Sequence, residues 1–290
     1  MYVHGDNLRQ KENHTTKYLD ANSRQYLVEI RAKYDEWKTA NEALTGPISA
    51  TDSESTTKII TSRVQLFNDY KDFIDQQHYA ERFDSRSNLH SSVLEEFMFY
   101  LFSDLVSEFS DNVLIGKAHA YKDLFFQAPN FKEMVAKPFV KIEKKDHDFV
   151  IGVNIEASFQ CQGKDEVLTE KFQIPAVAIE CKTYLDKTML EGSSTAAEQL
   201  IHKNPNGIYL VVAEWLKLTS RVNLKKYKVD QIYVLRKQKN TDREYRYLDG
   251  YVKNPIYVDV VEHLFETVKE HLTDDWREGV QHGLDLGYLK

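Results

Sequence analysis

Ten residues, GIYLVVAEWL from Gly207 to Leu216, constrain the fold of this chain more than any other stretch. The run is apolar almost throughout and shows no alternation of faces, as expected of a central strand buried on both sides. Such a strand needs partner strands and covering helices. Upstream, DHDFVIGVNIEASFQ and EVLTEKFQIPAVAIECK read as two strands joined by the turn-like CQGKDE. TMLEGSSTAAEQLIHK reads as a helix that ends before the Asn204-Pro205-Asn206-Gly207 turn. Downstream, KVDQIYVLRK reads as a further strand and PIYVDVVEHLFETVKEHL as a late helix.

Before about Ile142 the periodicity is helical. Tyr18, Tyr26, Leu27, Ile30, Tyr34, Trp37 and Ala40 follow helical spacing, which predicts a helix over residues 18–44. A second helix is expected from Ile59 or Ile60 to about Arg82. Between them TGPISATDSESTT, Thr45 to Thr57, has the composition of a linker. In HSSVLEEFMFYLFSDLVSEF, Ser92 and Glu95 have the spacing of a capping box, so a third helix should begin near Ser92. Its nearly continuous apolar surface predicts burial. Helices first, then strand, strand, helix, strand, strand, helix: the order predicts an α/β core wrapped by an N-terminal helical section over residues 1–87.

The length of 290 residues bounds one large domain or two modest ones. No apolar segment is long enough to span a bilayer, and the polar N-terminus MYVHGDNLRQKENHTTK is unlike a secretory signal. Two cysteines, Cys161 and Cys181, point to a reducing cytoplasm and away from a disulfide scaffold or structural zinc. HExxH, GxxxxGK[ST] and GxGxxG are absent, which argues against a zinc hydrolase or nucleotide-driven translocation. The net charge of −7 argues against indiscriminate polyanion binding but leaves room for a basic cleft on an acidic body. The basic residues do cluster: Lys141, Lys144 and Lys145; Lys217, Arg221, Lys225, Lys226 and Lys228; Arg236, Lys237 and Lys239. A solvated surface gives the same pattern.

IPAVAIECKTYLDKTMLEG, from Ile174 to Gly192, sets Glu180 and Lys182 into an apolar strand, where burying either charge is expensive. Alternation places Ala176, Ala178, Glu180 and Lys182 on one face and Val177, Ile179 and Cys181 on the other. The small Ala176–Ala178 face would leave room for a substrate. Glu180 can ligate a divalent metal, and Lys182 can approach a phosphate oxygen or a metal-bound water. A hard cation such as Mg²⁺ asks for a second acid. Asp148 opens the preceding strand in KKDHDFVIG, and hairpin pairing would bring it beside Glu180; Asp146, on the same face, is its rival. Acid-any-lysine also occurs at Glu36-Trp37-Lys38, Asp69-Tyr70-Lys71 and Glu143-Lys144-Lys145. On the residues alone, a catalytic cluster and a structural ion pair at a sheet end both stand.

Asp148 followed by Glu180-Cys181-Lys182 on a neighbouring strand resembles the PD-(D/E)XK nuclease superfamily. With HSSVLEEFMFYLF upstream, IECKTYLDKTMLEG resembles more narrowly the type II restriction endonucleases that cut interrupted, partly asymmetric DNA sites. The resemblance covers about Asn88 to Leu216, and His147 stands where the nominal pattern has proline. It implies a mixed central sheet flanked by helices, with residues 88–290 forming the nuclease domain and its DNA-recognition elements. It also implies that Asp148 and Glu180 bind Mg²⁺ while Lys182 orients or deprotonates the attacking water. Double-stranded DNA would be cut to a 5′ phosphate and a 3′ hydroxyl. A glutamate from the preceding helix often assists the metal in this family. That role falls on Glu95 or Glu96, with Glu96 preferred because capping already accounts for Glu95.

Cutting both strands implies two copies, as a homodimer or with a related second subunit. Lys144, Lys145, Lys187, Arg221, Asn223, Lys225 and Lys226 are the DNA-contact candidates, arginine and asparagine suiting base edges and lysines suiting phosphates. Cys181 is expected in the core and His147 at a strand entrance. A repair nuclease of the same superfamily and a non-catalytic nucleic-acid-binding protein are the alternatives. Against the first, no glutamine-any-three-tyrosine motif follows Lys182: Gln199 leads into Leu200, Ile201, His202 and Lys203.

Overall fold

The computed structural model describes residues 2–83, 88–239, 250–276, 283–285 and 287. The chain opens with five helices: α1 (Val3–Glu12), α2 (Ala21–Glu42), α3 (Ser53–Ile74), α4 (Gln77–Arg82) and α5 (Leu89–Ser107). Asp20 starts α2 and Asp52 starts α3, each carboxylate accepting an amide N–H three residues on. The Asp52 cap explains why α3 begins before the expected Ile59 or Ile60 and takes in residues 53–57. That helix stops at Ile74, short of the expected Arg82.

The remainder of the expected linker is clamped. Buried Arg63 donates to the carbonyls of Asn41, Leu44 and Gly46. The capping box is also absent, because α5 starts earlier, after Asn88. Ser92 lies inside it, its hydroxyl donating to Asn88 O at 2.6 Å.

The sheet follows: β1 (Leu114–Phe126), the short helix α6 (Phe131–Ala136), β2 (Val140–Gln160), β3 (Val167–Leu185), α7 (Lys187–Lys203), β4 (Ile208–Leu216), β5 (Gln231–Val234) and α8 (Val258–Thr273). The spatial order is β1-β2-β3-β4-β5. The first two pairings are antiparallel and the last two parallel, so the sheet is mixed as expected. At the bulge between Ile151 and Gly152, a side chain on Gly152 would begin 2.2 Å from the Ile174 carbonyl oxygen, so glycine is required there.

Helix α7 covers one face, with Leu190, Ala197 and Leu200 in a cluster with Ala178, Tyr209 and Val211. Helices α5, α8 and the N-terminal helices cover the other. This second core is continuous from Leu8 in α1 to Val268 in α8 and contains Phe97, Phe102, Phe149, Ile179 and Val212. Residues 1–87 and 88–290 therefore share one packed interior; the boundary between them adjoins 84–87, which lie outside the described residues. A buried ion network reinforces the junction. Lys71 Nζ of α3 lies 2.8 Å from Glu214 Oε1 of β4, and Arg236 Nη2 lies 3.3 Å from Glu214 Oε2. Arg236 is thus fully buried rather than part of a basic surface, and Lys237 pairs with Asp259.

Candidate active site

The β2–β3 hairpin register aligns Phe149 with Ile179, so Asp148 and Glu180 come next on adjacent strands. Between them and β1 the ladder slips: residues 147 to 150 of β2 oppose 116 to 118 of β1. Such a bulge bends the strand and re-aims side chains. Lys182 then bridges both acids, Nζ lying 3.0 Å from Asp148 Oδ2 and 2.7 Å from Glu180 Oε1. The Cys181 amide also donates to Asp148 Oδ2, at 3.0 Å, and the Tyr209 hydroxyl donates to Glu180 Oε2 at 3.0 Å. The three charged side chains keep 21–24% of their surface, so solvent reaches them. Asp148 and Lys182 border a cleft of about 330 Å³, together with Asn88, Ser91, Glu95, Lys117, Thr183, Tyr184 and Met189. Asp146, the rival acid, is instead exposed and bonded to His119.

The adjacent glutamates of α5 face opposite ways, and the preference for Glu96 is overturned. Glu96 is fully buried against the N-terminal helices. Its carboxylate accepts the hydroxyls of Tyr34 (2.9 Å) and Tyr100 (3.0 Å) and the amides of His4 (2.8 Å) and Gly5 (3.2 Å). It thereby ties down the first turn of α1, where a carboxylate is favoured. Glu95 points to the cleft. Its Oε2 is buried without a hydrogen bond among the described residues, and Lys117 Nζ is 4.0 Å away.

Burial pushes the Glu95 carboxyl up to about 7, with the Asp148 charge acting the same way. Burial also raises Asp148, against the pull of Lys182. Burial acts upward on Glu180 as well, but Lys182 and the Tyr209 hydroxyl hold it below the usual carboxylate range. For Lys182, burial is outweighed by the two carboxylates, which hold its proton more firmly than usual. The lysine is thereby held as a cation between the two carboxylates. His147 is buried rather than at a solvated strand entrance, and burial lowers its imidazole to about 4.

Among the described residues no cluster of three or more His, Cys, Asp and Glu side chains is arranged to hold a metal alone. The donors present nevertheless suit Mg²⁺, which takes one or two carboxylates and completes its shell with water and substrate phosphate. Both hydrogen bonds to Asp148 fall on Oδ2, leaving Oδ1, and Glu95 Oε2 is unclaimed.

The expected DNA contacts scatter around this centre. Lys144 and Lys145 lie on β2 just before Asp148, Lys144 exposed and Lys145 half-buried. Lys187 starts α7 and pairs with Glu191 at 3.5 Å. Arg221, Asn223, Lys225 and Lys226 are exposed on the loop after β4. There Asn223 Oδ1 caps the Lys225 amide, which occupies its acceptor. Lys217, at the start of this loop, has its Nζ 5.6 Å from the ring centre of Tyr184, which lines the cleft. Ala178 is fully buried and offers no path to substrate. Sequence reasoning missed Lys117 and Tyr209: the first sits on a strand it did not find, the second reads as one more apolar core residue.

A five-stranded mixed sheet, helices on both faces and two acids bridged by a lysine define a nuclease fold of the restriction-endonuclease class. The solved structure described as the native BbvCI A2B2 tetramer is similar to this chain, with a TM-score of 0.69 at 18% sequence identity. It covers 96% of this chain and 99% of that one, so the shared fold includes the N-terminal helices. The chain belongs to the Bpu10I restriction endonuclease family, whose profile matches residues 86–289. No curated protein matches it.

Proposed function

We propose that this chain is a type II restriction endonuclease subunit that hydrolyses double-stranded DNA at a specific sequence, with Mg²⁺, leaving 5′-phosphate and 3′-hydroxyl ends. The observation that carries this reading is Lys182 within hydrogen-bond distance of both Asp148 and Glu180, beside a solvent-reachable cleft that Asp148 and Lys182 line. Asp148 and Glu180 would hold the cation, its shell completed by water and substrate phosphate, with Glu95 lining the same cleft as Asp148. Bound there, Mg²⁺ supplies positive charge to the scissile phosphate and the leaving oxygen. Lys182, kept protonated, orients the attacking water and faces the phosphate as a fixed charge. Lys117, 4.0 Å from Glu95 and lining the same cleft, is placed for a neighbouring phosphate. Lys144, Lys145, Lys187, Arg221, Asn223, Lys225 and Lys226 are the wider DNA contacts.

One such centre cuts one strand, so the working enzyme contains two, in a homodimer or beside a related subunit. The A2B2 composition of the BbvCI assembly favours the second arrangement. A cytoplasmic location fits the work, and no helix among the described residues is long and apolar enough to cross a membrane.

The test is Mg²⁺-dependent cleavage of plasmid DNA, by the purified chain alone and mixed with the product of an adjacent reading frame. Discrete fragments with uniform ends are expected, whereas a smear points to a nuclease that reads shape. Glu180→Gln should keep the fold and lose cleavage; cleavage at the wild-type rate would refute the site.

A further inference from the structure

Glu180 is held at both carboxylate oxygens. One partner, Lys182, belongs to the charged trio; the other, Tyr209, is a fully buried neutral residue on the next strand. In the parallel β3–β4 register Ala178 lies opposite Tyr209 and Glu180 opposite Val211, so the tyrosine sits one pair behind the carboxylate on the same face. The single methyl of Ala178 leaves space for an aromatic ring to run beneath Glu180.

Several contacts fix that ring. His147, projected by the β2 bulge, packs edge-on against it with centres 5.7 Å apart. The Tyr209 amide donates to Asp230 Oδ2 at 2.6 Å, and its carbonyl accepts the Asp230 amide at 2.9 Å. Phenylalanine would satisfy this packing equally well. The hydroxyl adds one thing, the 3.0 Å hydrogen bond to Glu180 Oε2.

We propose that Tyr209 is a positioning residue for Glu180, a role that rests on the reading of Glu180 as a metal ligand. The terminal torsion of a glutamate is broad and roughly two-fold, so strand placement alone does not set the carboxylate plane. Released from Tyr209, the carboxylate turns to give both oxygens to Lys182, and the lone pair meant for the cation is lost. The Tyr209 hydrogen bond holds Oε2 away from Lys182 and fixes the carboxylate plane. Productive sites tolerate misplacement of only about 0.5 Å or 10–20°.

The experiment compares wild type, Tyr209→Phe, Glu180→Gln and Tyr209→4-aminophenylalanine. Melting, Mn²⁺ binding to the DNA-free protein by electron paramagnetic resonance, and the Mg²⁺ midpoint of single-turnover cleavage are measured. Tyr209→Phe should melt within a few degrees of wild type, bind Mn²⁺ about tenfold more weakly and need about tenfold more Mg²⁺ for half-maximal cleavage. The aminophenylalanine, which returns a donor, should restore the midpoint. An unchanged Mn²⁺ affinity and Mg²⁺ midpoint in Tyr209→Phe overturns the proposal. So does a variant restored in melting by the amine but not in metal response, which covers the case where Tyr209→Phe folds poorly. Glu180→Gln separates the two levels. If it still cuts, the reading of the site fails; if it is inactive beside a silent Tyr209→Phe, only the positioning role fails.

Discussion

Glu95 and Glu96 are neighbours in sequence, the same residue type and both buried, yet replacing them should move stability in opposite directions. Glu96 accepts four hydrogen bonds from buried donors. Bonds to a charged group contribute about 1.5–3 kcal/mol each. Even if relaxation recovers half, Glu96→Ala costs about 4 kcal/mol, in the range reserved for loss of a buried network. Burial raises both carboxyls, but at Glu96 the four hydrogen bonds act against it, whereas Glu95 Oε2 is buried without one among the described residues. Burial and the Asp148 charge move its carboxyl from an ordinary 4.5 to about 7, so folding opposes its ionisation. A raised carboxylate destabilises as pH climbs from the unfolded pKa to the folded one, and the full penalty holds above the latter. The gap from 4.5 to about 7 corresponds to about 3 kcal/mol.

Glu95→Gln should therefore raise stability at pH 8 without metal by up to about 3 kcal/mol, shrinking to under about 1 kcal/mol at pH 5. At roughly 2–4 °C per kcal/mol, this is a gain of several degrees in melting temperature, against a loss of ten or so for Glu96→Ala. Glu95→Gln should also abolish cleavage. The assay is thermal melting with a chelator at both pH values, alongside DNA cleavage. Should Glu96→Ala melt like wild type while Glu95→Gln melts lower at pH 8, the assignment of the two side chains is reversed and the reasoning fails.

Two further outcomes are expected. Lys225→Ala with Lys226→Ala should weaken DNA binding about equally on all sequences and flatten the log affinity–log salt slope by roughly 2, since each phosphate contact contributes about 0.9. Fluorescence anisotropy across a salt series reads this, and an unchanged slope removes the loop from the DNA interface. Lys71→Met strands Glu214 in the middle of β4 and should cost about 3–5 kcal/mol in chemical denaturation; a loss below 1 kcal/mol would mean that Arg236 alone neutralises the carboxylate.

The central part of this fold is written locally. Strands β2, β3 and β4, helix α7 and the Glu180–Lys182 pair follow from runs of one period whose neighbours in sequence are their partners in space, and α8 is legible from its period although it packs on α3. That Asp148 rather than Asp146 meets Lys182 was legible too, because Asp148 adjoins the apolar residues that anchor its strand, whereas Asp146 bonds at the surface to His119. Elsewhere local pattern misleads. Strand β1 was hidden because two slips against β2 break its alternation. Helix α1 is polar overall and buries little beyond His4, Gly5, Leu8 and Lys11. Arg236 reads as basic surface and is a core residue paired with Glu214.

What sequence alone determined is the chemistry available: two acids and a lysine on adjoining strands of an α/β core. Which glutamate of α5 joins them only tertiary structure decided. That helix is buried nearly all round, so its apolar pattern names no outward face. The direction each carboxylate takes is set largely by groups distant in sequence, the first turn of α1 and Tyr34 on one side, joined by Tyr100 one turn along α5, and the cleft with Lys117 on the other.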